Sequence, residues 1–438
     1  MREIIQKPRG TKDILPDEDK YWKFVENTVI NRCRAFDFGR IDTPMFESIK
    51  LYSHGIGENT DIVEKEMYEV RRYKSVISPE LKLDDDNETL ILRPEFTAGV
   101  VRSYIEKGMQ TWPQPVKLYS FGPVFRYDRP QKGRYRQFYQ FNFEVLGNGE
   151  PLTDVIVLLL IWQIYSDLGL KNDIIIEINS IGCKTCRPKI RKNLINYYKE
   201  YQLALCPDCQ KRLETNPLRI LDCKIENCQK ISRGAPQLID QICSECKSHF
   251  KQVLEGLDDL EIPYDLNPNL VRGLDYYSRT TFEIRDLSDE ARQSSLGGGG
   301  RYDNLVELYG GRSTPAIGFA GGVERIIEKI KELKVNIPDT INSEIYIVQI
   351  GDKAKKHALK LIYDLGEKGF AVSCSLGKES LKSQLKASDK AGAKLTLIIG
   401  QREVYDKSVI LKDMDEGSQE TVSIEDLDKV LLKRLRSI

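Results

Sequence analysis

The sequence has neither a long apolar run nor a net charge. It contains no uninterrupted stretch of about 18 apolar residues, which a membrane-spanning helix would need, and Met1–Gly10 has no apolar core of the kind found in signal peptides. Lysine and arginine together number 66, as do aspartate and glutamate. The whole chain therefore exerts no long-range attraction on a polyanion, and such a partner would need a local basic patch. We expect a globular, cytoplasmic protein with no membrane partner.

Cysteine is concentrated in one region. Eight of the ten cysteines fall within residues 183–246, and in a long chain without an export signal this favours metal ligation or buried thiols over disulfides. The spacing between the first two Cys-x2-Cys pairs is typical of a tetrahedral zinc site. The sequence thus allows up to two zinc ions, but it leaves open which pairs share a metal and whether the thiols are simply buried. The candidate ligands are Cys183, Cys186, Cys206, Cys209, Cys223, Cys228, Cys243 and Cys246.

A chain of 438 residues is long enough for about three domains. Helices and strands alternate in residues 1–179 without the regular repeat of parallel α/β proteins, which predicts an α+β fold with a mostly antiparallel sheet flanked by helices. The cysteine-rich residues 180–257 interrupt this domain, and residues 258–332 complete it. A polar linker at 331–342 precedes a small α/β domain with a largely parallel sheet, at 343–438.

Apolar periodicity and turn residues predict the individual elements. The predicted helices are Lys20–Phe36, Leu152–Leu168 (closed by Gly169), Gly318–Leu333, 353–365, 379–391 and 425–436. The predicted strands are Arg40–Pro44, Glu88–Arg93, Val116–Phe125, Asp173–Asn179, Leu270–Tyr277, Thr280–Asp286, 344–350, 370–376 and 394–399, followed by a hairpin.

Four segments carry residues suited to chemistry. Phe121–Glu144 interleaves arginines with aromatic residues in a predicted hairpin, where arginine could clamp phosphates and an aromatic ring could stack on a base; the alternative is a solvated basic hairpin. Leu270–Glu283 is too polar for an ordinary core strand, unless Arg272 and Asp275 form a simple ion pair.

The other two segments are rich in glycine. Leu296–Asp303 matches neither a P-loop nor a dinucleotide fingerprint, so its glycines either let the backbone approach a ligand or form a flexible loop. Thr314–Arg325 leads into a helix N-terminus that could bind an anion, or it allows tight packing of the helix on the sheet.

Together with Thr43–Pro44 and Leu92–Ala98, these segments resemble the class II aminoacyl-tRNA synthetases and, within them, the histidyl-tRNA synthetase family. Val271–Tyr277 and Gly298–Asp303 look like that family's two signatures, and Leu381–Ala393 is similar to its anticodon-binding domain. The resemblance implies a class II antiparallel sheet of six or seven strands. It also implies activation of L-histidine by ATP and Mg²⁺, transfer of histidine to tRNA(His), and a homodimer built through the region Phe38–Phe46.

The resemblance also assigns site residues. Arg126, Phe138 and Arg325 match positions that bind ATP, and Arg272 matches the family's catalytic arginine, with Arg126 as the second catalytic group. The positions that match the histidine pocket are Glu95, Thr97, Gln140, Glu144, Arg272, Tyr276 and Tyr277. Within it we expect Glu95 to take the amine and Glu144 the ring. Phe96 departs from the family pattern, which has a small residue there.

In this family the insertion covers the acceptor arm of tRNA, so its basic residues would form the required local patch: Lys184, Arg187, Lys189, Arg191 and Lys192. Histidine activation itself would use only the catalytic sheet. Two other functions remain to be weighed. A regulatory subunit of ATP phosphoribosyltransferase would lack the C-terminal domain and the motif arginines. A zinc-dependent nucleic-acid-binding protein would leave the ATP-like motifs unused.

Overall fold

The structure is a computed structural model, and it describes residues 4–57, 60, 62–71, 89–128, 133–288, 295–338, 344–375, 377 and 380–435. The chain divides into two compact units, residues 1–337 and 338–438. Within the described ranges, no helix is long and apolar enough to cross a membrane. Parts of the predictions above lie outside these ranges, including Glu88, residues 129–132 of the basic hairpin, residue 376 and the first residue of the predicted helix 379–391.

The elements of the first unit follow the chain in this order. Its helices are α1 Asp19–Ala35, α2 Ile49–Ile56, α3 Thr97–Glu106, α4 Pro151–Asp167, α5 Arg187–Lys199, α6 Pro207–Thr215, α7 Glu226–Ser232, α8 Leu238–Gln241, α9 Ser244–Asp259, α10 Leu305–Leu308 and α11 Val323–Glu332. Its strands are β1 Gly39–Arg40, β2 Phe46–Ser48, β3 Glu69–Val70, β4 Leu90–Leu92, β5 Val116–Phe125, β6 Gln137–Leu146, β7 Ile174–Ser180, β8 Tyr264–Leu266, β9 Ser278–Asp286, β10 Ser295–Arg301 and β11 Ala316–Gly322.

The main sheet has the order β1-β5-β6-β11-β10-β9-β7-β8. The six central strands pair antiparallel, while the short edge strands β1 and β8 pair parallel with β5 and β7. The predicted antiparallel sheet is therefore confirmed, with two short edge strands in addition. A separate small sheet, β2-β4-β3, lies earlier in the chain.

Amphipathic and apolar helices cover this sheet. α1 buries Trp22, Val25, Val29 and Cys33, which recur at helical spacing along one face. α4 is apolar over most of its surface, and the left-handed Gly169 (φ 75°) follows its end, where a side chain would be strained. The helix α1 was predicted from its periodicity and α4 from its apolar content and the closing Gly169, and both are confirmed.

Two predicted elements in the middle of the chain were wrong. Leu270–Tyr277 is an irregular segment rather than a strand, because its backbone bonds lie outside any ladder: Asp275 N donates to Ile56 O over 3.0 Å, for example. Residues 318–322 belong to strand β11, and the helix starts only at Val323, where the buried apolar period begins. Near the N-terminus, the predicted strand Arg40–Pro44 contributes only Arg40 to a strand.

The structure also decides between the two alternatives for the glycine-rich segment Leu296–Asp303. Most of it forms β10, hydrogen-bonded on both sides, so it is not a flexible loop.

The second unit contains β12 Ile345–Gln349, α12 Asp352–Glu367, β13 Val372–Cys374, α13 Leu381–Lys390, β14 Leu395–Ile399, α14 Gln401–Tyr405, β15 Ser408–Asp413, β16 Gln419–Ser423 and α15 Leu427–Leu435. Its sheet order is β13-β12-β14-β15-β16. The first three strands are parallel and the last two form an antiparallel hairpin, as the pattern predicted.

A buried charged group ties the insertion helix α9 to the catalytic sheet. Asp154, on α4, accepts a hydrogen bond from Arg301 Nε over 2.7 Å, and its other oxygen lies 2.9 Å from His249 Nε2 on α9. Asp154 and Arg301 are fully buried. Because an unpaired charge is costly in the interior, each of these groups depends on the others.

We predict that Asp154→Ala destabilises the protein by about 3 kcal/mol or more, because Arg301 loses its buried counter-charge. Asp167→Ala is the control, since the Arg32–Asp167 pair is partly exposed and should be worth about 0–1 kcal/mol. Urea unfolding curves measure both variants. Equal, small losses for the two would contradict a structural role for the buried pair.

Candidate active site

A cavity of about 360 Å³ lies on the main sheet, where β6, β10 and β11 meet the irregular segment 270–277. Nine of the ten residues assigned above to ATP or histidine binding line it, namely Glu95, Thr97, Arg126, Phe138, Gln140, Arg272, Tyr276, Tyr277 and Arg325. The tenth, Glu144, does not line the cavity. Residues far apart in sequence therefore converge on one polar site.

Arg272 lies flat over the glycine strand. A Cβ at Gly298 would stand 2.4 Å from Arg272 Nη1, so only glycine allows the guanidinium to pack on the backbone there. Nη1 pairs with Glu283, which lies directly across the ladder from Gly298. The buried Nε has no hydrogen-bond partner among the described residues. The simple ion pair between Arg272 and Asp275 is not formed; Asp275 instead accepts a bond from Asn216.

Arg126 and Arg325 bring two further positive charges to the cavity. Arg126 is anchored by Pro94 O at 2.9 Å, and its guanidinium carbon lies 5.5 Å from the ring centroid of Phe138. Arg325 donates to Gly133 O (3.0 Å) and Ser295 O (2.7 Å). Burial lowers the pKa of Arg325, and the nearby charge of Arg134 lowers it further. A polyanion entering the cavity would relieve this repulsion.

The acidic groups lie deeper. Glu95 accepts the backbone N–H groups of Thr97 (2.6 Å) and Ala98 (2.9 Å), so it caps the first turn of α3. Glu144 lies beneath the cavity, where it accepts bonds from Thr97 Oγ1 at 2.7 Å and Asn142 Nδ2 at 3.0 Å. Burial raises the pKa of Glu144 to about 8, although these donors oppose the shift.

Two residues to which we had assigned no role complete the site. Tyr302 lines the cavity and donates its hydroxyl to Glu144 Oε2 over 2.5 Å, so it lies between the cavity and that carboxylate. Glu283 lines the cavity as the partner of Arg272. Both stand inside motifs already singled out, but only tertiary contacts reveal which way they face.

The unusual Phe96 has a packing partner. Its buried ring lies 4.1 Å from the guanidinium carbon of Arg93, within the range of a favourable cation–π contact. Arg93 in turn donates to Thr43 O over 2.7 Å. The larger ring therefore supports the segment that carries Glu95 rather than entering the cavity, which Phe96 does not line.

The eight clustered cysteines form two separate groups of four. One contains Cys183, Cys186, Cys243 and Cys246, and the other Cys206, Cys209, Cys223 and Cys228; in each, all four sulfurs lie within 4.8 Å of one another. The first two Cys-x2-Cys pairs therefore do not share a group, although their spacing would allow it.

Distances between sulfurs fit a metal better than disulfides. A tetrahedral zinc site with bonds of about 2.3 Å places its sulfurs about 3.8 Å apart, whereas a disulfide needs about 2.05 Å. The separations are 3.7 Å for Cys183–Cys186, 4.0 Å for Cys186–Cys246 and 3.9 Å for Cys206–Cys223. Burial disfavours the Cys183 thiolate, but the backbone N–H groups of Cys186 and Thr185 together with the neighbouring thiols of Cys186 and Cys246 lower its pKa to about 6.

Only some residues of the predicted basic patch of the insertion have side chains that are exposed and free of bonds to the backbone. Lys189 and Lys192 are exposed, but the Arg187 guanidinium turns inward and donates to Tyr277 O over 2.7 Å. Arg191 is engaged with the carbonyls of Glu214 and Thr215. Arg187 therefore belongs to the support of the cavity rather than to a face for nucleic acid.

Comparison with known proteins gives consistent results. The family model described as histidyl-tRNA synthetase matches residues 10–182 and 224–326, and that of an anticodon binding domain matches residues 344–434. A histidine–tRNA ligase of Desulforamulus reducens is 45% identical over 97% of this chain and 98% of its own length.

Solved structures agree. The apo histidyl-tRNA synthetase of S. aureus superposes with a TM-score of 0.79 at 36% identity, covering 98% of this chain and 99% of that one. A Bacillus halodurans structure, titled ATP phosphoribosyltransferase regulatory subunit/histidyl-tRNA synthetase, has a TM-score of 0.62 at 19% identity, covering 91% and 99%. The latter shows similarity of fold only.

Proposed function

The chain belongs to the histidyl-tRNA synthetase family, and from that premise we propose how its cavity divides the work of charging tRNA with histidine. Histidine and ATP give histidyl-adenylate and pyrophosphate, and transfer of histidine to tRNA(His) then gives histidyl-tRNA and releases AMP. The alternative of a regulatory subunit has less support, because the C-terminal unit matches an anticodon binding domain and the arginines of the motifs line the cavity.

The arginines supply the ATP site in this proposal. Arg126 binds the α-phosphate, the Phe138 ring stacks on adenine, and Arg325 contacts the far end of the triphosphate. The single observation that carries the assignment is the convergence of half-buried guanidiniums around one cavity, where the charge of Arg325 is destabilised until an anion arrives.

Mg²⁺ would neutralise charge on the phosphates of ATP. Among the described residues, the groups of three or more side chains that could hold a metal are the two cysteine clusters. The cavity therefore offers no ready-made carboxylate cage, and we expect the phosphates themselves to provide much of the metal's coordination.

Histidine is proposed to bind between the segment 270–277 and β6. Glu95 receives the amine and Arg272 the carboxylate, while Thr97 and Gln140 line the pocket. The buried Oε1 of Gln140 has no partner among the described residues, so it is free to accept a bond from the ligand. Tyr276, Tyr277 and Glu144 surround the ring in this proposal. An analogue without the ring nitrogens would strand such groups at about 1–3 kcal/mol each.

Catalysis then needs no protein nucleophile. The carboxylate of histidine attacks the α-phosphorus in line, and charge grows on the phosphoryl oxygens. Fixed guanidiniums at Arg272 and Arg126 stabilise this charge without having to reorganise during the reaction. Gly298 is essential to this geometry, since any side chain there would displace Arg272.

We predict that Arg272→Ala lowers histidine-dependent ATP–pyrophosphate exchange by roughly 10²–10³ while the fold survives. Arg272→Lys should also fail, because an ammonium cannot bridge two anionic groups as a guanidinium can. The matched control is Arg285→Ala, which breaks a similar pair with Glu177 on neighbouring strands, away from the cavity. Parental exchange in either Arg272 variant would refute the assigned role.

We also propose that each cysteine cluster binds one Zn²⁺. The donor set of four thiols, the separations near a tetrahedral edge and the absence of disulfides among the described cysteines all favour this over packed thiols. Backbone N–H groups point at two of the sulfurs, from Cys243 N to Cys186 Sγ at 3.1 Å and from Cys206 N to Cys228 Sγ at 3.3 Å. Such donors favour the thiolate that a metal requires.

Protein purified without chelator should contain about two zinc ions per chain by elemental analysis, one for each four-cysteine cluster. Cys209→Ser should lower this to about one, because it removes a ligand from a single cluster. Cys374→Ser is the control, since Cys374 lies in the second unit, outside both clusters. Zinc below about 0.2 per chain in reduced, active protein would leave buried thiols as the explanation.

A homodimer is our proposal for the assembly. Met45 and Phe46, in the region that resembles the family's dimer motif, are 51% and 53% exposed, and adjacent large apolar side chains on a surface mark an interface. The proposed binding partners are then tRNA(His), L-histidine and a second copy of the chain. We propose the cytoplasm as the location, because its reducing conditions keep the clustered thiols free.

Light scattering at micromolar concentration should give a mass about twice the chain mass of 50.3 kDa. Phe46→Glu should shift the protein toward monomer, because a charge would be buried at the interface. Leu203→Glu serves as the control, since that side chain is 98% exposed in the insertion. A monomer mass for the parental protein would refute the dimer.

A further inference from the structure

The segment 270–277 carries Arg272 and Tyr277 but has no strand to hold it. Its backbone lies outside the ladders of the main sheet, and the hydrogen bonds that fix it come from other parts of the fold, such as Asp275 N to Ile56 O. Since both side chains face the cavity, the geometry of the site depends on whatever fixes this backbone.

Packing holds this segment only in part. Val271, Tyr276 and Tyr277 are buried, but on the side of the insertion a second cavity of about 970 Å³ lies against Asp275, Tyr276 and Tyr277. Beside such a space, hydrogen bonds from the insertion add to the packing of the segment.

Three side chains of the insertion span this region. Arg187 Nη2 donates to Tyr277 O over 2.7 Å. Arg219 Nη1 donates to Gly273 O over 2.9 Å, and Asn216 Nδ2 donates to Asp275 Oδ1 over 2.5 Å. The acceptors are spread along residues 273–277, so together these bonds fix the whole segment rather than one point.

The three side chains lie close in sequence to the cysteine clusters. Arg187 directly follows Cys186 of the first cluster, at the start of α5. Asn216 and Arg219 lie between Cys209 and Cys223 of the second cluster. Each cluster thus belongs to a stretch of chain that contacts the same active-site segment.

We propose that Arg187, Asn216 and Arg219 are positioning residues for histidine activation, so that the insertion serves the first step of the reaction as well as any contact with tRNA. The proposal rests on the proposed roles of Arg272 and Tyr277. It replaces the expectation that activation uses the catalytic sheet alone, because the insertion shares with the sheet the hydrogen bonds and ion pairs that hold the segment. A displacement of about 1 Å at a reacting group can cost about 10²-fold in rate.

Arg219→Met and Asn216→Ala test this in ATP–pyrophosphate exchange without tRNA. Each should lower kcat/KM for histidine by roughly tenfold or more, with KM for ATP nearly unchanged, because the displaced groups contact histidine more than adenine or pyrophosphate. Arg219→Lys should restore part of the loss, since one carbonyl acceptor needs only one donor.

The matched control is Asn227→Ala. Asn227 donates its amide to Ala204 O over 2.6 Å, entirely within the insertion, so this variant should keep parental kinetics. Zinc content and the thermal unfolding midpoint are measured for every variant to confirm that the module is intact.

Parental kcat/KM for histidine in both Arg219→Met and Asn216→Ala would overturn the proposal. So would an equal loss in Asn227→Ala, which would mean that any damage to the module acts through general stability. Absence of histidine-dependent exchange in the parental protein would instead refute the proposed function of the cavity.

Discussion

The site depends on the contact between the Arg272 guanidinium and the bare backbone of Gly298. β10 is a central strand with neighbours on both sides, and a side chain at Gly298 would occupy the position of the guanidinium. Because glycine leaves that face of the sheet open, a charged side chain can lie on it and reach the ladder partner Glu283. Glycines in a strand usually weaken it; here they create the floor of the cavity.

Charges of both signs surround this floor. Guanidiniums line the cavity together with the carboxylates of Glu95 and Glu283, and Glu144 lies below it. The guanidiniums suit phosphates and a carboxylate, whereas Glu95 suits an ammonium. One small cavity can therefore bind both an anionic and a cationic group of the reactants. The insertion adds support from outside, through bonds to the backbone of the segment that carries Arg272.

The local pattern of apolar residues was enough to predict elements whose backbone hydrogen bonds join residues close in sequence. The helix α1 follows from periodicity, α4 from its apolar content and its closing glycine, and the motifs identified most of the cavity's lining. Leu270–Tyr277 was predicted as a strand whose polar groups needed partners, but groups distant in sequence, such as Asn216 and Ile56, supply those partners without a strand. The grouping of the cysteines likewise could not be predicted from the sequence. The fold brings Cys183 close to Cys246, although Cys206 is nearer to Cys183 along the chain.

The proposed function requires that this cavity activates histidine and discriminates it by the groups around the ring. The decisive test is pyrophosphate exchange by the purified protein, measured without tRNA for each of the standard amino acids in turn. We predict exchange with histidine that exceeds that with any other amino acid by at least about 10². Exchange that is independent of histidine, or equally fast with another amino acid, would contradict it.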